Sequence, residues 1–181
     1  LLIGATARDI RLKYQHGLDN LRATEDVDFA VTVADWETFE QLRAALLGSG
    51  LFHAGEGRAV HKLRHHTNWK LDLVPFGGVE SADRTIRWPP EQSEIYDCFG
   101  LAEAMATCEW AVLPSGIRAR IPSIPALALL KITAWRDRQD SAPGKDAPDL
   151  LKYLRHYMDC GNLDRVIADH ADLYARDDFD H

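Results

Sequence analysis

Two aspartates separated by one residue, Asp26 and Asp28 in "EDVDFAV", sit in a run that otherwise reads as a β-strand. Alternate strand residues project to one side, so both carboxylates share a face while Val27 and Phe29 take the other. Like charges so placed repel and are costly to bury unless something compensates. A divalent cation compensates. A third acid, Asp72, interrupts the apolar run "KLDLVPF" in the same manner. If the two strands are neighbours, three carboxylates meet on one patch, expected to be free of neutralising Lys or Arg from the same strands. Such a hard-oxygen set suits Mg2+, and metal pairs ~3.5–4 Å apart serve in-line displacement at phosphorus. The plain alternative is a strand that merely opens at Asp26 and turns Asp28 to solvent.

The opening "LLIGATARD" adds a phosphate cradle. Gly4 ends a strand and starts a helix, a junction whose free N–H groups bind phosphate. Ala5 and Thr6 are small enough for close approach. Arg8, in the first turn, runs against the helix-dipole preference and is expected to reach toward an anion. Lys131 interrupts the apolar "ALALLKITAW" and either meets an anion or snorkels along Trp135 to solvent. Asp146, before Ala147-Pro148, fits a helix N-cap as well as a site residue, and the adjacent Lys145 fits solvent equally.

His53, His61, His65 and His66 have no acid or Cys beside them to suggest zinc. They read instead as a basic, RNA-facing surface, His61, His65 and His66 lying in the acid-free stretch of residues 58–71 with Arg58, Lys62, Arg64 and Lys70. Trp69 and Trp88 either stack on bases or pack in the core, the commoner fate. Glu80, in a loop "FGGVE" read as mobile, is left out of the ligand set.

These side chains need elements to position them. The sequence predicts a strand end at "LLIG", a helix over "ATARDIRLKYQHG" with Ile10 and Tyr14 four apart, and a strand at "VDFAVTV". Asp35 caps a helix bearing Trp36, Phe39, Leu42 and Leu46 on one face. "AVHKLRHH" and "KLDLVPF" form strands around a turn at Thr67-Asn68. A loop at Pro89-Pro90, a short helix "GLAEAMATC" and a hairpin "EWAVLPSGIRARI" follow. Ser123 caps "IPALALLKITAWRDR", and a polar linker leads to helices over "DAPDLLKYLRHYMD" and "LDRVIADHADLY". The fold class is α+β: a mixed β-sheet flanked by helices in residues 1–121, then a helical C-terminal region packed on it in residues 122–181.

Composition agrees with a folded domain: 181 residues, 46% hydrophobic and 27% charged. A net charge of −7 argues against binding nucleic acid through bulk charge. No apolar run reaches membrane-spanning length, so no membrane is expected as a partner. Cys98, Cys108 and Cys160 show no metal-ligand spacing and read as free buried thiols of a reducing cytoplasm. "LLIG" lacks Met and is too short for a signal peptide, so the chain is read as starting inside a strand, with a segment missing upstream.

"IGATARD", "TEDVDFAV" and "KLDLVPFGGVE", in that order, resemble the nucleotidyltransferase superfamily of DNA polymerase beta, the poly(A) and CCA-adding enzymes and small antibiotic-modifying enzymes. With "IPALALLKITAWRDR" and "KDAPDLLKYL" the chain looks more like one branch, the AbiEii-type nucleotidyltransferase toxins of bacterial toxin–antitoxin systems, over most of residues 1–154. The resemblance implies Asp26 and Asp28 as the metal-binding pair and Asp72 as the third acid, able to act as general base on the acceptor hydroxyl. It implies Gly4 as the phosphate-loop glycine, Lys131 as a contact to the triphosphate and Asp146 as the acid of the "KDxxDL" block. Ala5 departs from the usual Gly or Ser, and Thr6 offers a hydroxyl one position later. The expected activity is Mg2+-dependent transfer of an NMP from an NTP to a hydroxyl of a tRNA 3′ end or a protein, by a cytoplasmic toxin with a cognate antitoxin. Two alternatives stay open: a catalytically degenerate binding module of the same fold, and a transferase acting on an aminoglycoside-like alcohol.

Overall fold

A computed structural model describes residues 1–18, 24–55, 59–90, 92, 94–142 and 144–176, with Tyr174 by its backbone alone. Arg58 of the basic stretch, Pro143 of the linker and residues 177–181 lie outside the described residues.

The chain opens with β1 (Leu2–Ile3) and turns at Gly4 into α1 (Gly4–Asp9), which continues as a π-helical stretch over Ile10–Gln15. β2 (Asp26–Val33) follows, then α2 (Trp36–Gly48), whose Asp35 cap accepts from the Thr38 N–H at 2.8 Å as the sequence predicts. β3 (Phe52–Ala54), β4 (Lys62–His65) and β5 (Lys70–Gly77) complete a mixed sheet of order β1-β2-β5-β4-β3. The β4–β5 turn falls at Thr67-Asn68 as expected. There the Asn68 N–H donates to the His65 carbonyl at 2.8 Å, and Asn68 adopts φ +73.

Where the sequence predicts only a loop, β6 (Thr85–Arg87) and β7 (Ile95–Asp97) form a hairpin. α3 (Leu101–Ala106) precedes the expected hairpin of β8 (Glu109–Val112) and β9 (Arg118–Ile121). Ser123 caps α4 (Ile124–Arg138) through the Ala126 N–H. After it come α5 (Ala147–Arg155), a π-helical turn at Met158–Asn162, α6 (Leu163–Asp169) and α7 (Ala171–Tyr174). The architecture is α+β, a mixed sheet with flanking helices and a helical C-terminal part, as expected.

Two apolar clusters hold it together. Strand residues Ala30, Leu71, Leu73, Val74 and Phe76 pack with Phe39 of α2 and Leu101 of α3. Trp88 is buried in that cluster against Trp36, Phe39 and His61, so its fate is core packing and not base stacking. The second cluster joins Leu2, Ala7, Ile10 and Leu12 to Ile121, Ile124, Leu127 and Tyr153. Each fully buried large side chain contributes roughly 1.5–3 kcal/mol of transfer free energy. The predicted apolar faces need correction at two places. Tyr14 is exposed while Leu12 takes the buried position in the π-helical stretch, and Leu42 is exposed on α2. Arg11 fastens the same stretch to the start of α4, donating to the Pro122 and Ile121 carbonyls at 2.8 and 2.9 Å. The cysteines are free, but only Cys98 and Cys160 are buried; Cys108 is half-buried. Among the described residues no helix is long and apolar enough to cross a membrane.

Candidate active site

β2 and β5 pair in parallel with Asp28 opposite Asp72 and Asp26 opposite Lys70. Residues paired in register project to the same face, so the three acids share one side of the sheet. That side is not free of cations, and the sequence expectation needs correction. Lys70 Nζ lies 3.6 Å from Asp26 Oδ1, and Lys62 of β4 is the register partner of Asp72. The strand order, invisible in the sequence, interleaves acids and lysines. It also brings Lys62 and Lys70 of the basic stretch beside the acids.

Asp28 is the centre of the face. Burial pushes its carboxyl up to about 6, with Asp72 and then Asp26 adding repulsion while Lys131 and Lys145 oppose it. Asp72 is also raised, by burial first, with Lys62 and His61 pulling the other way. Among the described residues no group of three or more His, Cys, Asp and Glu is drawn together tightly enough to hold a metal ion. The expected three-acid cluster is therefore an opposed pair, Asp28 and Asp72, with Asp26 beside it near Lys70. The donor set still suits a divalent cation in kind. Its oxygens are hard, the shielded Asp26 Oδ1 accepts no hydrogen bond, and a positive ion offsets the repulsion at Asp28.

Gly4 explains itself twice over. Its φ of +69 is a region L side chains avoid, and a Cβ there would land on Asp28 Oδ2 and lie 2.8 Å from Asp28 Cγ. The chain's first turn is thus laid against the central carboxylate, which only glycine permits. Gly4→Ala is expected to cost about 1–3 kcal/mol in urea denaturation, more than the backbone strain alone. Gly50→Ala is the control: it has φ +71 and nothing within 4 Å, so it carries the strain without the clash.

The other predicted residues are less free than the sequence suggests. Thr6 spends its hydroxyl proton on the Asp26 carbonyl at 3.2 Å. Arg8 does not reach into the open. It is fully buried, donating to Asp9 at 2.8 Å and to Asp149 at 2.5 Å. Lys131 neither snorkels to solvent nor stands unpaired: its Nζ lies 3.2 Å from Asp146 Oδ1 and 2.9 Å from Asp149 Oδ2. Asp146 occupies the N-cap position of α5, but its side chain caps nothing. Its carboxylate accepts instead from Arg138, at 2.6 Å from Nη2 and 3.2 Å from Nε. Burial would raise the pKa of Asp146 and Asp149, yet the arginine and lysine contacts win and hold both below the usual carboxylate range.

Glu80 accepts from the Gly77 N–H and from Arg84, which ties together the turn read as mobile. His61 stacks on Trp88, and burial lowers its pKa.

A family model described as nucleotidyl transferase AbiEii toxin, type IV TA system, matches residues 1–180. The chain belongs to the AbiEii nucleotidyl transferase toxin family. No curated protein matches it. Membership makes this AbiEii chain a nucleotidyltransferase, the toxin of a type IV toxin–antitoxin system, with an NTP as substrate and an antitoxin as counterpart. The fold lays Gly4 and Thr6 of the β1–α1 turn against Asp28 and Asp26, with Asp72 opposite Asp28 on β5. It groups Arg8, Lys131 and Asp146 in an adjoining buried ion network, with Lys131 near enough to influence Asp28.

Three members of this neighbourhood escaped the sequence reading. Asp149 and Arg138 complete the ion network, and the second acid of "KDAPD" at i+3 was the available signal for Asp149. Tyr96 of β7 has a hydroxyl raised by burial, then by Cys98 and Asp28. Nothing in the sequence marked it, because its hairpin was not legible.

Proposed function

We propose that the toxin transfers an NMP from an NTP to a hydroxyl acceptor, a tRNA 3′ end or a protein, with Mg2+ as the cation. The acceptor oxygen bonds to the α-phosphorus, the bond to the β-phosphate oxygen breaks, and pyrophosphate leaves. Asp72 takes the hydroxyl proton. Asp26, Asp28 and Asp72 are the residues that would hold Mg2+, which supplies positive charge at the reacting phosphate. Gly4, Ala5 and Thr6 line the phosphates with backbone N–H groups. Lys131 serves the triphosphate by exchanging one of its carboxylate partners for a phosphate oxygen, while Arg8 and Asp146 position it. In this reading residues 1–121 supply the acids, residues 122–181 supply Lys131 and Asp146, and the reaction runs in the cytoplasm.

One observation carries the reading: Asp28 faces Asp72 across parallel strands while the Gly4 turn lies against its carboxylate. Calorimetry with each NTP, with and without Mg2+, is the direct test, paired with labelled NTP and total RNA or protein. The expected result is NTP binding strengthened by Mg2+ and label transferred to an acceptor, abolished by EDTA. NTP binding indifferent to Mg2+, with no label transferred, would overturn it.

A further inference from the structure

The β8–β9 hairpin turns one face inward and one outward. Ala111 and Ile121 are buried on the inner side, where Glu109 is bound by Arg11 at 2.7 Å. Register puts Trp110 opposite Arg120 and Val112 opposite Arg118, so these four share the outer face. Trp110 is 53% and Val112 71% exposed. The guanidinium carbons of Arg118 and Arg120 stand 4.8 and 5.0 Å from the indole centroid. Among the described residues neither guanidinium has an ion-pair partner; besides the ring, Arg120 donates to the Met105 sulfur at 3.5 Å. No Asp or Glu occurs between Trp110 and Arg120 in the sequence. On a chain of net charge −7 this is a locally uncompensated positive patch built around an exposed aromatic ring.

Beside it runs an open groove of about 490 Å3, lined by Leu113, Ile117, Arg118 and Arg120 at the hairpin and by Val27 and Thr6 at its inner end. Thr6 is the residue whose hydroxyl binds the Asp26 carbonyl, so the groove ends directly behind the strand that carries the acids.

We infer that this outer face docks a single-stranded RNA, a base stacking on Trp110 and flanking phosphates meeting Arg118 and Arg120. The pairing of unneutralised cations with a half-exposed indole decides for RNA, a base taking the place of a guanidinium over the ring. Phosphates use the charges and a base uses the ring, whereas an acidic peptide uses only the charges. Recognition is tolerant of sequence, because every base presents a π-face. The inference rests on the proposed transfer reaction only in taking that strand as the acceptor.

The test is fluorescence anisotropy of the full chain with a labelled oligouridylate of about 12 nucleotides, without NTP, over a range of salt. Trp110→Ala is expected to weaken binding about tenfold and Trp110→Phe less, since a phenyl ring still stacks. Arg118→Gln and Arg120→Gln are each expected to lower the slope of log affinity against log salt by about 0.7. Circular dichroism of each variant confirms folding, and the phenylalanine variant carries the test if the alanine variant does not fold. Asp28→Asn is expected to bind the strand as the parent does, which separates docking from transfer. Equal binding by the parent and the folded Trp110 variants would overturn the inference. So would an oligoglutamate of matching charge that binds as tightly and loses as much in Trp110→Ala. A parent that transfers nucleotide while the Trp110 variants bind unchanged overturns the surface and leaves the reaction standing.

Discussion

Asp28→Asn should yield a protein that is more stable than its parent and transfers no nucleotide. The carboxylate sits where burial and two neighbouring acids disfavour its charge, up to a pKa of about 6. A folded-state pKa above the unfolded value means that the folded form holds its proton longer. The associated stability is full below about 3.9 and is lost as pH rises through about 6. At neutral pH the parent therefore carries a penalty of about 2–3 kcal/mol that the amide does not. The stability gap between variant and parent should open between about pH 4 and 6 and stay open above, which urea denaturation at several pH values measures. The same change removes a charged oxygen from the proposed cation site, so transfer should fall at least about 10³-fold. A variant no more stable than its parent at neutral pH would contradict the electrostatics of the face. One that still transfers nucleotide would contradict the assignment of Asp28.

The second large effect belongs to Asp149. This carboxylate joins a fully buried Arg8 to Lys131, and Lys131 in turn reaches Asp146, which Arg138 also holds. Asp149→Ala leaves a buried guanidinium with Asp9 as its remaining carboxylate partner in this chain of contacts. Breaking one side of a buried pair costs about 3–5 kcal/mol, and the contact that Arg8 keeps with Asp9 puts this loss at the lower end. Replacing both ends, Arg8→Met with Asp149→Leu, should recover much of that loss, and a double-mutant cycle measures the coupling. The pH trend is opposite to that of Asp28. The folded-state pKa of Asp149 is depressed, so its contribution is present above the unfolded value and lost as pH falls through the folded one. Acid thus weakens the ion network while relieving the acidic face.

Much of this was legible beforehand, because it is local. The alternation in "DVDFAVTV", the caps at Asp35 and Ser123 and the turn at Thr67-Asn68 are decided within a few residues of themselves. Gly4 at the strand–helix junction was legible for its backbone. Its contact with Asp28 was not, because that depends on which strand lies beside β1. Register is likewise a tertiary property, so Lys70 beside Asp26 and Lys62 beside Asp72 could not be read from spacing. The three-residue strands β3, β6 and β7 are too short to show a period. Arg8 and Lys131 looked like free cations because their partners lie far along the chain. The family resemblance supplied the reaction, and the fold supplied the neighbours.

Arg8 and Asp149 are 141 positions apart. During synthesis the helix that carries Arg8 emerges well before α5, and its guanidinium has the neighbouring Asp9 but not Asp149 until α5 leaves the ribosome. A message truncated anywhere before that point yields a polypeptide in which Arg8 lacks Asp149. For a toxin the order has a consequence: translation products that stop short of α5 cannot assemble this junction.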